Sequence, residues 1–239
     1  MKSFKRLSEA LAAGLLLLVS ALSHSAPVTI MGDDLIFTYD DSTLFGTANV
    51  IGNSIFFLPT NFIAQAANDD GAVQVTDTVD IEIQVKEGSS YLMDNFQLFE
   101  SGDYLLNGSS ASADVNAFLQ VTSFTHTCMM GGSPIPVACN MANTFDAGTL
   151  NVASGALEQW SLSGGLDLDM MPMWADDFHV NLRIQNTLDA TSLDVGDSAL
   201  IQKKFGAIGV EIVGEVPVPA AAWLFGSALL SLVVAKKRK

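Results

Sequence analysis

Two stretches of this chain alternate apolar and polar residues without a break. In "VDIEIQV", Val79, Ile81, Ile83 and Val85 take one parity, and Asp80, Glu82 and Gln84 the other. In "FHVNLRIQ", Phe178, Val180, Leu182 and Ile184 alternate with His179, Asn181, Arg183 and Gln185. Successive side chains on a strand point to opposite faces, so this period predicts strands with one buried and one wet face. "LIFTYD", "NSIFFL", "DNFQLFE", "AFLQVTSFTHT" and "GAIGVEIVG" read as further strands. The clusters "NDDG", "EGSS", "ESGD" and "NGSS" read as turns between them, and "NFIAQAAND" is the best helix candidate. About ten short strands at regular spacing predict an all-β domain, a single antiparallel β-sandwich or jelly-roll-like fold.

The charge divides the chain into three parts. Lys2, Lys5 and Arg6 open it, and Lys236, Lys237, Arg238 and Lys239 close it. Between Ala26 and Glu215 the basic residues are Lys86, Arg183, Lys203 and Lys204, against twenty-five acidic ones, a formal charge of −21 where the whole chain has −15. A surface of that sign repels phosphate backbones, which argues against a nucleic-acid partner. It favours solubility and attracts divalent cations.

Residues 1–25 have a basic start, the apolar run "ALAAGLLLLVSAL" and then the small residues of "SHSA". This is the pattern of a secretory signal peptide, with the cut expected after Ser25. Residues 26–214 then form the exported β domain. In an oxidising compartment Cys128 and Cys139 are expected to form a disulfide across "CMMGGSPIPVAC", a loop rich in Gly and Pro.

Chemistry is sparse in this body. Its only histidines are His126 and His179. "GDSAL", Gly196 to Leu200, resembles the nucleophile block of the GDSL esterases, and "DDFH" resembles their Asp-x-x-His. A hydrolase built on them would use Ser198 as nucleophile, His179 as base and Asp176 to orient it. The two blocks occur in the reverse of that family's order, so an exported hydrolase is the alternative rather than the leading expectation. "DLDMMPMWADD" brings Asp167, Asp169, Asp176 and Asp177 near one another, an oxygen-rich stretch that is a candidate calcium site. Trp160, Trp174, Tyr39, Tyr91 and Tyr104 are candidates for a sugar-stacking platform; core positions on strands are the simpler expectation for them.

The last segment, 215–239, is of another kind. Val216 to Ala235 is long enough, as a helix, to cross a bilayer core, with the helix proper expected over about 220–235. Trp223 and Phe225 lie near its outer end, and Lys236 to Lys239 make a cytoplasmic stop. A Pro-x-Pro, an apolar helix with an internal Phe-Gly-Ser and a terminal basic cluster together resemble the PEP-CTERM sorting signal. The signature Pro-Glu-Pro is Pro217-Val218-Pro219 here. The resemblance implies a protein held in the inner membrane of a Gram-negative bacterium during transit. It also implies that an exosortase processes it near Pro217–Pro219 and passes it to the cell surface or extracellular matrix, alongside exopolysaccharide and biofilm. The expected function is therefore that of a non-enzymatic surface protein associated with extracellular polysaccharide. The other alternative is a purely structural surface protein held by its tail.

Overall fold

The computed structural model describes residues 26–129, 136–168 and 177–214. The segments expected to be a signal peptide and a sorting tail, the latter with Pro217, Val218, Pro219, Trp223, Phe225 and Lys236–Lys239, and the residues Asp169, Trp174 and Asp176 lie outside them.

Twelve strands follow one another along the chain. They are β1 (Val28–Met31), β2 (Leu35–Tyr39), β3 (Ala48–Ile51), β4 (Ser54–Phe57), β5 (Ile63–Ala67) and β6 (Gly71–Val85). Then come β7 (Tyr91–Asn107), β8 (Ser112–Cys128), β9 (Val137–Asp146), β10 (Glu158–Asp167), β11 (His179–Ser192) and β12 (Ser198–Gly214). All pairings are antiparallel. The first sheet has the order β1-β2-β6-β11-β8-β9, and the second β10-β7-β12-β4-β3, with β5 also paired to β12. The fold is a two-sheet sandwich, as the alternation predicts.

The buried parities of the two sheets meet in one core. Val79, Ile81 and Ile83 of β6, and Val180, Leu182 and Ile184 of β11, are buried from the first sheet. Ile55, Phe57, Leu98, Ile201 and Ile208 are buried from the second. Each such side chain contributes roughly 1.5–3 kcal/mol by leaving water. Tyr39, Phe45, Phe57 and Phe62 pack edge to face, with ring centroids 5.6–5.7 Å apart, and the Tyr39 hydroxyl accepts a 2.7 Å bond from the Ala48 N–H. At the other end Phe145 of β9 lies against Gly164 of β10, where a Cβ would sit 2.1 Å from the ring. The Cys128–Cys139 disulfide is formed and joins β8 to β9.

Three local expectations are corrected. "NFIAQAAND" is not a helix: Ile63–Ala67 is β5, buries Ala64 and Ala66 on one parity, and pairs with Ser198–Gln202. "ESGD" is not a turn but the middle of β7, because Glu100 finds a buried partner and Gly102 makes room for Trp160. Phe178 does not share the buried face of β11; it precedes the strand and is 47% exposed over a cleft lined by Ile36, Val85 and Lys86. "NDDG" is a turn, with Asn68 and Asp69 at φ of 52° and 66°, values that suit Asn and Asp.

Candidate functional site

The second sheet turns an unusual surface outward. The register sets Ala207 of β12 beside Phe56 of β4 on one side and Phe99 of β7 on the other. Phe205, on the same outer parity, pairs with Ser101 and stacks on Phe56 with ring centroids 6.3 Å apart and planes at 29°. Phe99 is 50% exposed, and Phe56 and Phe205 are half-buried. Three aromatic rings thus run across adjacent strands on a wet face.

Beside them lies a cleft of about 300 Å³ lined by Ser101, Asp103, Gln159, Ser161 and Lys204. The bulge between Lys203 and Phe205 shapes it, since the extra residue, Lys204, lies on the outer side together with Phe205, and its ammonium meets the Asp103 carboxylate. The cleft floor is fixed from below. The Trp160 indole N–H donates to the Gln202 carbonyl at 3.1 Å through the gap left by Gly102. Hydroxyl, amide, carboxylate and ammonium groups therefore converge next to an apolar aromatic strip. Such a surface can hold a ligand that has both C–H faces and hydroxyl edges.

The aromatic residues expected from the sequence as platform candidates do not form this strip. Tyr39, Tyr104 and Trp160 are core side chains, Tyr91 is exposed at the start of β7, and Trp174 lies outside the described residues. The phenylalanines at 56, 99 and 205 were legible only as odd members of alternating runs, since "SIFFL" and "LFE" do not reveal which parity faces out.

The esterase-like set does not assemble. Ser198 begins β12, where its hydroxyl oxygen accepts a bond from the Asn107 amide at 3.1 Å. His179 begins β11, at the opposite end of a strand that runs to Ser192, about 40 Å along the chain direction. "GDSAL" instead closes a turn: Asp197 accepts bonds from the Ser110 N–H at 2.9 Å and the Ser110 hydroxyl at 2.7 Å. The backbone bond is the larger of the two effects, and together they hold the Asp197 carboxyl below its usual range.

His179 and His126 do share one end of the first sheet. His179 Nε2 lies 2.7 Å from Glu82 and its ring lies against Phe124, centroids 4.6 Å apart. Thr125 donates to the buried Asp177 carboxylate at 2.7 Å, and His126 Nδ1 lies 3.5 Å from the second oxygen of that carboxylate. Of the carboxylates expected to hold calcium, Asp177 faces inward to these groups and Asp167 ends β10. Among the described residues no group of three potential ligands comes together. Further along the same outer face, Arg183 makes a two-pronged contact to Asp80 at 2.9 and 3.1 Å. Burial pushes the Asp80 carboxyl up, but bonds from Arg183 and Asn181 and the charge of Arg183 outweigh it, so the net shift is down.

No family model matches the chain, and no curated protein matches it either. Among solved structures, the enzymatically active domain of bacteriophage CBA120 tailspike protein 4 aligns over 79% of this chain at 10% identity, with a TM-score of 0.25. This chain spans a fifth of that one. TmCBM61 in complex with beta-1,4-galactotriose aligns over 79% of this chain and 90% of its own at 11% identity, TM-score 0.22. The VP2 subviral particle of infectious bursal disease virus aligns over 89% and 54% at 11% identity, TM-score 0.32. Likenesses of this size carry no inference about ligand or activity.

Proposed function

We propose that this chain is an exported, non-enzymatic surface protein that associates with extracellular polysaccharide through the outer face of its second sheet. One observation carries the reading: the Phe56–Phe205–Phe99 strip beside the polar cleft of Ser101, Asp103, Gln159, Ser161 and Lys204. A sugar ring offers a C–H face to an aromatic ring and hydroxyls to side chains of this kind. The body's formal charge of −21 disfavours polyanionic glycans and favours a neutral or amino-substituted polymer, with calcium as a bridge where the polymer is acidic. Delivery follows the two ends. The leader takes the chain across the inner membrane, the tail holds it there, and an exosortase acts near Pro217–Pro219.

The test is retention of the mature protein in gels containing the host's own polysaccharide, with and without calcium. Phe99→Ala and Phe205→Ala are each expected to weaken retention roughly 3- to 10-fold, the worth of one aromatic stacking contact. No retention of the parent protein, or equal retention of both variants, overturns the glycan reading. Ester hydrolysis that disappears in Ser198→Ala overturns the non-enzymatic one.

A further inference from the structure

The middle of the sandwich contains three polar side chains where apolar ones are expected. Lys203 of β12 is 1% exposed, Glu100 of β7 2% and Asn186 of β11 0%. The Lys203 Nζ lies 2.6 Å from Glu100 Oε1 and contacts the Asn186 Oδ1 directly. The Asn186 Nδ2 donates to the other Glu100 oxygen, Oε2, at 2.5 Å. Apolar groups enclose the three. The Phe45 ring centroid is 4.4 Å from Nζ, Phe62 lies at 6.0 Å, and at Gly206 a Cβ would press on the Lys203 Cε at 3.0 Å.

Taking such an ion pair out of water costs solvation that its attraction repays only where further hydrogen bonds complete it, and here Asn186 completes it on both sides. The arrangement suits one reaction. Burial lowers the Lys203 pKa, although the charge and hydrogen bond of Glu100 oppose this, and so favours the neutral amine, the nucleophilic form. The amine touches the oxygen of a carboxamide whose carbon is one bond further on. A single carboxyl group bridges the attacking nitrogen and the nitrogen that would leave.

We propose that Lys203 and Asn186 form an intramolecular isopeptide bond, with Glu100 as the catalytic residue. Glu100 Oε1 takes a proton from Nζ as Nζ bonds to the Asn186 Cγ. The amide Cγ–Nδ2 bond then breaks as Oε2 returns a proton to Nδ2, and ammonia leaves. Starting from the ammonium and carboxylate forms, the lysine gives up two protons. One completes the ammonia and one stays on Glu100, so charge and atoms balance without an oxidant or any other reactant. The contacts position all three groups before reaction and exclude water, the two conditions that let so weak an electrophile react. The product ties β11 of the first sheet to β12 of the second at the sandwich centre.

A tryptic map of the mature, exported full chain tests this. The bond removes about 17 Da and blocks cleavage after Lys203, because its side chain is no longer a cation. The expected fragment is Ile184–Lys204, lighter by that amount, with no backbone fragment ions between Asn186 and Lys203. A fragment that ends at Lys203 with full mass overturns the proposal. So does one lighter by about 17 Da yet still cut after Lys203, which is a succinimide at Asn186. Glu100→Gln is expected to keep the ammonia and restore cleavage after Lys203; a variant that still closes the loop removes Glu100 from its catalytic role. The wild-type map decides the bond by itself if that variant fails to fold.

Discussion

Gly102 is the position where one added methyl group should do the most damage. It lies on the inward parity of β7, opposite Trp160 on one side and Lys203 on the other. A Cβ there would sit 1.9 Å from the Gln202 carbonyl oxygen and 2.8 Å from the Trp160 Cε2 and Cζ2 atoms. Its φ is not among the positive ones, so Gly102→Ala is a test of space rather than of backbone conformation. Relief requires both the β12 backbone at Gln202 and the indole to move, and the two are tied by the 3.1 Å bond from the indole N–H to the Gln202 carbonyl. Overpacking costs about 1–3 kcal/mol and a lost hydrogen bond about 1 kcal/mol, together about 2–4 kcal/mol. For a domain of this size each kcal/mol moves Tm by about 2–4 °C, which puts the fall at about 4–16 °C. Thermal unfolding followed by near-ultraviolet circular dichroism reads it. In a Trp160→Phe background the smaller ring relieves the contact with the indole but not the one with the Gln202 carbonyl oxygen, so the same substitution should cost less there while remaining destabilising. A Gly102→Ala protein within about 0.5 kcal/mol of its parent, or strict additivity in the double variant, refutes the packing argument.

Removing the disulfide with Cys128→Ala and Cys139→Ala opens a loop with a sequence separation of 11, for which closure entropy gives about 3 kcal/mol. A guanidinium midpoint that falls at constant slope would show it, and a loss below about 1 kcal/mol would contradict it. Asp80 has a depressed folded-state pKa, so its contribution is present above the unfolded carboxylate value near 4 and is lost as pH falls through the lower folded value. The Arg183–Asp80 pair is half exposed, which limits that contribution to about 0.2–1 kcal/mol. Arg183→Gln should flatten the acid limb of the stability profile by that amount at low salt, and an unchanged limb would show the pair to be inert.

The alternation in "VDIEIQV" and "FHVNLRIQ" was enough to read two central strands and every face but that of Phe178, which precedes β11, because a period of two admits only one parity inside a sandwich. It failed where tertiary partners overrule local composition. "ESGD" carries every mark of a turn, yet Glu100 and Gly102 face inward because Lys203 and Trp160 need a partner and a gap. "NFIAQAAND" has helix-forming residues, but a short alanine strand fits the half-length of β12 that β4 does not cover. The outer aromatic strip was hidden for a related reason. Phe56 and Phe57 are neighbours in sequence, and only pairing with β12 sends the first to solvent and the second to the core.

The same limit explains Lys203 and Lys204, adjacent and chemically identical in the sequence. Adjacent residues of a strand face opposite ways, so Lys203 turns in to Glu100 and Asn186 and Lys204 turns out to Asp103 at the cleft. The one-residue bulge then keeps Phe205 outward beside Lys204, because Lys203 pairs with Gly102 and Phe205 with the next residue, Ser101. Deleting Lys204 would therefore restore regular pairing and leave every remaining residue of β12 on its own face. That variant should lose the ammonium of the outer cleft and keep the inner triad. Weaker polysaccharide retention with the Lys203–Asn186 crosslink intact in the tryptic map is the expected result, and loss of the crosslink would show that the bulge sets the inner site as well.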